Sequence, residues 1–228
     1  KHSFYAFRNA ARPLQVTASQ QYEILRPGEL YDLDVCLIND NLRPLEGLNV
    51  TAAVYLGRKA RKVYSREFRG AVGAYAVNSL GKLDWTVPAT TEEHNFLLRL
   101  EVFDSSGKRL ARNEYTCMIG DSERLSVSGG FFGEYRQWDK IALKPSVKNF
   151  PREIGTGGER SFEIEYSNTG GNAAMALETL VTDLPEGVRF YLDDNYVNLL
   201  PGERVTLRGS LQISERAALA PEIGRAHV

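Results

Sequence analysis

The sequence predicts an all-β chain of two tandem immunoglobulin-like β-sandwich domains, and three observations predict it. Apolar and polar residues alternate with a period of two through most of the chain, as successive side chains of a half-buried antiparallel strand must. Turn signals punctuate these runs at Pro27-Gly28, Ser106-Gly107, Asn168-Thr169-Gly170-Gly171, Pro185-Glu186-Gly187 and Pro201-Gly202. The order turn, strand, Asn-turn, strand then occurs twice, about 130 residues apart, as two successive sandwiches require.

Taken in chain order, residues 1–13 read as a short helix stopped by Pro13, with Phe4, Phe7 and Ala11 on one face. One helix ahead of an all-β chain has little of its own to pack on, so it reads as the end of a preceding domain. From Leu14 the period becomes two. In residues 31–40, Tyr31, Leu33, Val35 and Leu37 face one way, with Asp32 and Asp34 opposite. In residues 95–103, Phe96, Leu98, Leu100 and Val102 alternate with Arg99 and Glu101. Near the end, Val205, Leu207, Leu211 and Ile213 alternate with Arg204, Thr206, Arg208 and Gln212. Further strands are expected at 14–19, 48–56, 62–68, 83–87, 109–118, 141–147, 162–167, 174–182 and 188–192. The Ser- and Gly-rich run 120–133 is the clearest break. The expected organisation is therefore a first sandwich at 14–120, a linker at 121–136 and a second sandwich at 137–228.

Composition narrows the function classes. The 228 residues carry 28 basic against 29 acidic side chains, a formal charge of −1, with no single-sign block. That balance gives no electrostatic footprint for nucleic acid or an anionic membrane. Apolar runs are strand-length, too short to span a bilayer, and residues 1–12 lack the apolar stretch of a signal peptide. Cys36 and Cys117 lie in apolar strand-like runs, where two buried thiols are favoured over a disulfide. No zinc spacing and no cofactor motif is found.

Each candidate site has a structural alternative. Glu163 and Glu165 share one strand face, but glycoside hydrolysis needs two carboxyls flanking a sugar, and a solvated strand face is the favoured reading. His2, His94 and His227 are scattered, and no nucleophile motif is present, so no catalytic constellation emerges. Asp193, Asp194 and Asn195, with Asp183 upstream, carry the oxygens a calcium ion uses; a hairpin turn after 188–192 is favoured instead. The densest aromatic cluster, with Phe131, Tyr135 and Trp138, is the best candidate for a carbohydrate-binding patch, against the favoured alternative of packing on a neighbouring domain. Trp85 reads as core, and Asn49-Val50-Thr51 matches a glycosylation sequon within an expected strand.

The run Asp193-Asp194-Asn195-Tyr196 followed by Leu199-Leu200-Pro201-Gly202-Glu203 resembles the last domain of glycoside hydrolase family 2 enzymes of the β-mannosidase and exo-β-glucosaminidase type. Ser167-Asn168-Thr169-Gly170 precedes it, as in that family, and Ala11-Arg12-Pro13-Leu14-Gln15-Val16 resembles the exit from the family's barrel. The resemblance implies a longer retaining exo-glycosidase whose catalytic glutamates lie in a (β/α)₈ barrel before this chain. It implies that these residues are non-catalytic accessory domains whose partner is that barrel, within the same polypeptide. A carbohydrate-binding module is the alternative. In either case the motif itself reads as scaffold, with Gly202 taking the positive φ of a type II turn.

Overall fold

A computed structural model describes residues 2–19, 24–120, 141–151 and 157–214. Among these residues the fold is all-β, with one short helix, α1 (His2–Ala10), at the start. The chain divides into two compact units, Phe7–Trp138, and Lys1–Ala6 together with Asp139–Val228.

In the first unit the strands are β1 (Leu14–Ala18), β2 (Ile24–Leu25), β3 (Leu30–Asn39), β4 (Leu45–Leu56), β5 (Arg61–Val72), β6 (Ala76–Thr86), β7 (Asn95–Phe103) and β8 (Arg109–Ile119). They form a three-stranded sheet, β1-β3-β6, and a five-stranded sheet, β2-β8-β7-β4-β5, antiparallel except where β2 meets β8. Alternation decides which side chains fill the space between the sheets. Tyr31, Leu33, Val35 and Leu37 of β3 are buried while Asp32 and Asp34 are exposed. Val50, Val54, Leu83, Leu98, Leu100 and Val102 complete the core, each contributing about 1.5–3 kcal/mol by leaving water. Tyr31, Trp85 and Phe96 meet edge-on, with ring centroids 5.0–6.5 Å apart.

The second unit contains β9 (Leu143–Lys148), β10 (Glu159–Asn168), β11 (Ala174–Leu177), β12 (Val188–Leu192), β13 (Val197–Leu199) and β14 (Arg204–Ile213). A four-stranded sheet, β12-β14-β10-β9, covers a two-stranded one, β11-β13. The core between them (Phe162, Ile164, Tyr166, Leu199, Leu207, Leu211) is smaller than the first. Gly209 of β14 faces Phe162 across the ladder, and a β-carbon there would lie 2.4 Å from the Phe162 ring. Only glycine leaves that ring its place. The edge strand β9 carries Lys144, Pro145 and Lys148, residues that discourage a further strand from pairing.

Three expectations are corrected. Residues 193–196 are not a hairpin turn: β12 pairs with β14, while β13 pairs with β11, so this segment crosses from one sheet to the other. The strand expected at 174–182 ends at Leu177, because Ala176 takes a positive φ of 50° and the register slips there. Arg99 is not on a solvated face but is 3% exposed, since β7 is buried on both sides along most of its length. On α1, as expected of a helix with little of its own to pack on, Phe4 and Phe7 are exposed, while Tyr5 meets Tyr196 edge-on at 6.0 Å. Strands β2 and β13, of two and three residues, are too short to show a period.

Candidate functional site

Two asparagines organise the ends of the sandwiches in the same way. Asn168 is the last residue of β10 and is fully buried. Its Nδ2 donates to the carbonyls of Asn172 (2.8 Å) and Leu199 (2.9 Å), and its Oδ1 accepts the Gly170 N–H at 3.1 Å. Asn39, last in β3, repeats the pattern. Its Nδ2 donates to the carbonyls of Arg43 (2.9 Å) and Gly73 (2.8 Å), and its Oδ1 accepts the Asn41 N–H at 3.1 Å. An amide suits this place because it alone offers two donors and an acceptor without charge.

A second device is also duplicated. In Leu200-Pro201-Gly202-Glu203 the Glu203 N–H donates to the Leu200 carbonyl at 3.0 Å, and Glu203 Oε2 accepts the Leu200 N–H at 2.8 Å. In Arg26-Pro27-Gly28-Glu29 the corresponding distances are 3.0 and 2.7 Å. Gly202 and Gly28 sit at φ 80° and 82°, where a side chain would be strained.

The oxygens of residues 193–195 serve the backbone. Asp193 Oδ1 accepts the Arg208 N–H at 2.7 Å, and Asp194 Oδ1 accepts the Asn195 N–H at 2.9 Å. The buried Asn195 accepts the Thr179 N–H (2.7 Å) and donates to the Thr179 carbonyl (3.1 Å). It thereby replaces the ladder that β11 lost. Thr179 in turn meets the hydroxyl of buried Tyr166 at 3.0 Å. Tyr196, at φ 59°, donates its hydroxyl to Glu178. That bond to the carboxylate raises the Tyr196 pKa above an ordinary tyrosine's. Among the described residues no cluster of three or more His, Cys, Asp or Glu is placed to hold a metal ion.

Among the described residues, two concavities of the second unit stand out. One, of about 260 Å³, is lined by Leu143, Pro145, Tyr166, Leu177, Thr179 and Leu180 with the carboxylate of Glu178. The other, of about 390 Å³, has Glu159, Arg189 and Gln212 among glycines at the far end of β10 and β14. Each brings one carboxylate, where glycoside hydrolysis uses two about 5–10 Å apart. Glu163 and Glu165 lie on the strand face, Glu163 3.5 Å from Arg208 and Glu165 3.1 Å from Lys148. Phe131, Tyr135 and Trp138 lie outside the described residues. Trp85 is buried in the first core, and Asn49 is exposed on β4. Cys36 faces away from the core that holds Cys117, and no disulfide joins them.

Sequence reasoning missed a buried charge network on the outer face of β7 and β8. Arg99 Nε donates to Glu114 Oε1 at 2.5 Å and Arg112 Nε lies 3.0 Å from the same oxygen. The Arg99 guanidinium also sits 5.4 Å from the Tyr55 ring centre. A strand that alternates gives no sign that its polar face is covered as well. The shifted carboxyls of the first unit, exposed Asp84 and half-buried Asp104, are local in cause. Asp84 is lowered by the Tyr64 hydroxyl and Arg66, and Asp104 by the Ser106 hydroxyl and the Lys108 N–H.

No family model matches the chain, and no curated protein matches it in sequence. Among solved structures it is similar to the exo-chitosanase CsxA of Amycolatopsis orientalis. A complex of a CsxA variant with PNP-β-D-glucosamine matches with a TM-score of 0.66 at 20% identity, covering 91% of this chain and 24% of that one. The crystal structure of CsxA alone matches at 0.63 with 22% identity over the same shares. A study of the inhibited exo-β-D-glucosaminidase CsxA matches at 0.64 with 22% identity. The chain thus spans about a quarter of the length of these proteins.

Proposed function

We propose that these residues are the non-catalytic, C-terminal accessory domains of a longer glycoside hydrolase of family 2, supporting and orienting a catalytic barrel that precedes them. One observation carries the reading. The likeness to an exo-β-glucosaminidase runs through both units of the chain, in a protein about four times its length. The run from Asp193 to Glu203 supports it, because it resembles the last domain of that family. The local chemistry agrees: the Asp193, Asp194, Asn195 and Glu203 side chains of the motif are bonded to the backbone and fix loops.

In this reading the parent is a retaining exo-glycosidase that removes a β-linked glucosamine or mannose. Its acid/base and nucleophile lie in the barrel, and neither is assigned to a residue here. The accessory units contribute a rigid platform, since the buried amides of Asn39 and Asn168 lock the loops that a neighbouring domain can rest on.

The purified chain is expected to fold cooperatively and to hydrolyse neither 4-nitrophenyl β-D-glucosaminide nor the β-D-mannoside. Turnover above the enzyme-free rate, lost on heating the protein, would end the proposal.

A further inference from the structure

We infer that the outer face of β12, β14 and β10 in the second sandwich is a binding site for a neutral oligosaccharide, with Tyr191 as the ring on which a sugar stacks. Such a site stands whether or not the chain belongs to a glycosidase. The strand register assembles the face from three adjoining rows. Arg189, Gln212 and Glu159 lie side by side, then Tyr191, Ser210 and Ser161, then Arg208 and Glu163. The alternate residues Leu192, Leu207, Leu211 and Phe162 point the other way, into the core. Tyr191 is 44% exposed on this outer face. A lone exposed aromatic needs no explanation, but one set beside a cavity of unpaired polar groups does.

The first row forms one side of the concavity of about 390 Å³, a volume within the range of small-molecule sites. Among the described residues the Arg189 guanidinium, the Gln212 amide and the Glu159 carboxylate have no hydrogen-bond or ion-pair partner. Arg189 and Glu159 are two strands apart, about 10 Å between backbones, with Gln212 on the strand between them. The rim is fixed by backbone bonds. The Gly157 N–H donates to the Ile213 carbonyl at 2.8 Å, the Ile213 N–H to the Gly158 carbonyl at 3.0 Å, and the Ser214 N–H to the Gly187 carbonyl at 2.9 Å. Gly157 and Gly187 hold φ of 74° and 83°, so that part of the rim is backbone without a β-carbon. A preformed rim of this kind loses little freedom when the cavity fills.

Three features identify the occupant. The cavity row offers a group that only donates (Arg189), one that only accepts (Glu159) and an amide that does both (Gln212). Neighbouring hydroxyls, each a donor and an acceptor, satisfy that set together. The second row is low, because Ser210 and Ser161 are small and stand between the first row and the Arg208–Glu163 pair. Those flanking rows are roughly 13 Å apart along β14, so a pyranose ring can lie on the serines with its C–H face against the Tyr191 ring. The rows are also balanced in charge, Arg189 and Arg208 against Glu159 and Glu163, so no field favours a polyanion or a polycation. A chain of neutral hydroxylated rings meets all three features. A peptide asks for pockets that take its side chains, and the floor here is serine.

Isothermal titration calorimetry of the 228-residue chain with cellohexaose, mannohexaose, N-acetylchitohexaose and maltohexaose tests the site, and NMR locates it. Saturable binding of at least one of these glycans is expected, with shifts in the Gln212 side-chain amide and Arg189 Nε–H signals. Tyr191→Ala should weaken that binding about ten-fold or more, whereas Tyr191→Phe should stay within about two-fold, because the ring face and not the hydroxyl makes the contact. Arg189→Ala with Glu159→Ala removes exposed side chains that hold nothing else, so melting should stay within about two degrees while binding falls about ten-fold or more. That pair carries the test if Tyr191→Ala does not fold. No saturable binding of any of the four glycans up to about 10 mM overturns the inference, as does binding that the Arg189 and Glu159 pair leaves undiminished. Tetraalanine with free termini binding in place of every glycan also overturns it, and assigns the row to a peptide.

Discussion

Replacing Asn168 with alanine should strongly destabilise the second sandwich while sparing the first. The substitution removes two donors and an acceptor. The Leu199 carbonyl is left in the core, and the Asn172 carbonyl and Gly170 N–H are left in part-buried positions. Orphaning the buried carbonyl costs about 1–3 kcal/mol and losing each of the other two bonds about 1 kcal/mol, so the sum is roughly 3–5 kcal/mol. A sandwich of this size has a stability of about 5–10 kcal/mol, so between about a third and all of it is lost. Urea titration followed by hydrogen exchange reads the two sandwiches separately. Protection in β10 and β14 should fall by that free energy, and protection in β7 should not change. Asn168→Asp keeps the shape but turns the donors toward two carbonyls into an acceptor, so it should be at least as damaging at neutral pH. If Asn168→Ala lies within about 0.5 kcal/mol of the parent, the clamp does not hold the sandwich and the reasoning fails.

Other expectations follow from single contacts. Gly209→Ala places a methyl 2.4 Å from the Phe162 ring and should cost about 1–3 kcal/mol in denaturant titration, partly recovered when Phe162→Leu is added. Arg99→Ala removes the charged bond to Glu114 but leaves Arg112 beside the carboxylate, and should cost about 2–3 kcal/mol in denaturant titration, with a smaller loss for Arg112→Ala. Tyr196 should titrate above the ordinary tyrosine range by NMR, and Glu178→Gln should bring it back down. Because that pKa is raised, whatever the bond contributes is present below the ordinary tyrosine pKa and is lost as pH rises through the raised value.

What was legible in the sequence was what alternation and turn residues encode. The strand at 95–103 is read to the residue because β-branched and aliphatic side chains at every second position leave one register. The Asn39 and Asn168 turns could be placed because an asparagine closes an apolar strand twice at matching spacing. The hairpin reading of 193–196 failed because turn-forming residues say where the chain bends but not which sheet receives it. Arg99 was misplaced because one-sided alternation looks the same whether the polar face meets water or is covered. The short strand β13 and the shortened β11 escaped because their hydrogen bonds depend on Asn195 and Asn198, contacts that no local pattern carries.

The most direct measurement of the central claim is a side-by-side assay of the isolated chain and the longest translated product containing it, on aryl β-D-glucosaminide and β-D-mannoside. The account predicts hydrolysis with retained anomeric configuration by the longer protein and none by the folded chain. Hydrolysis by the folded chain alone, or a longer protein inert on every β-glycoside offered, would contradict it.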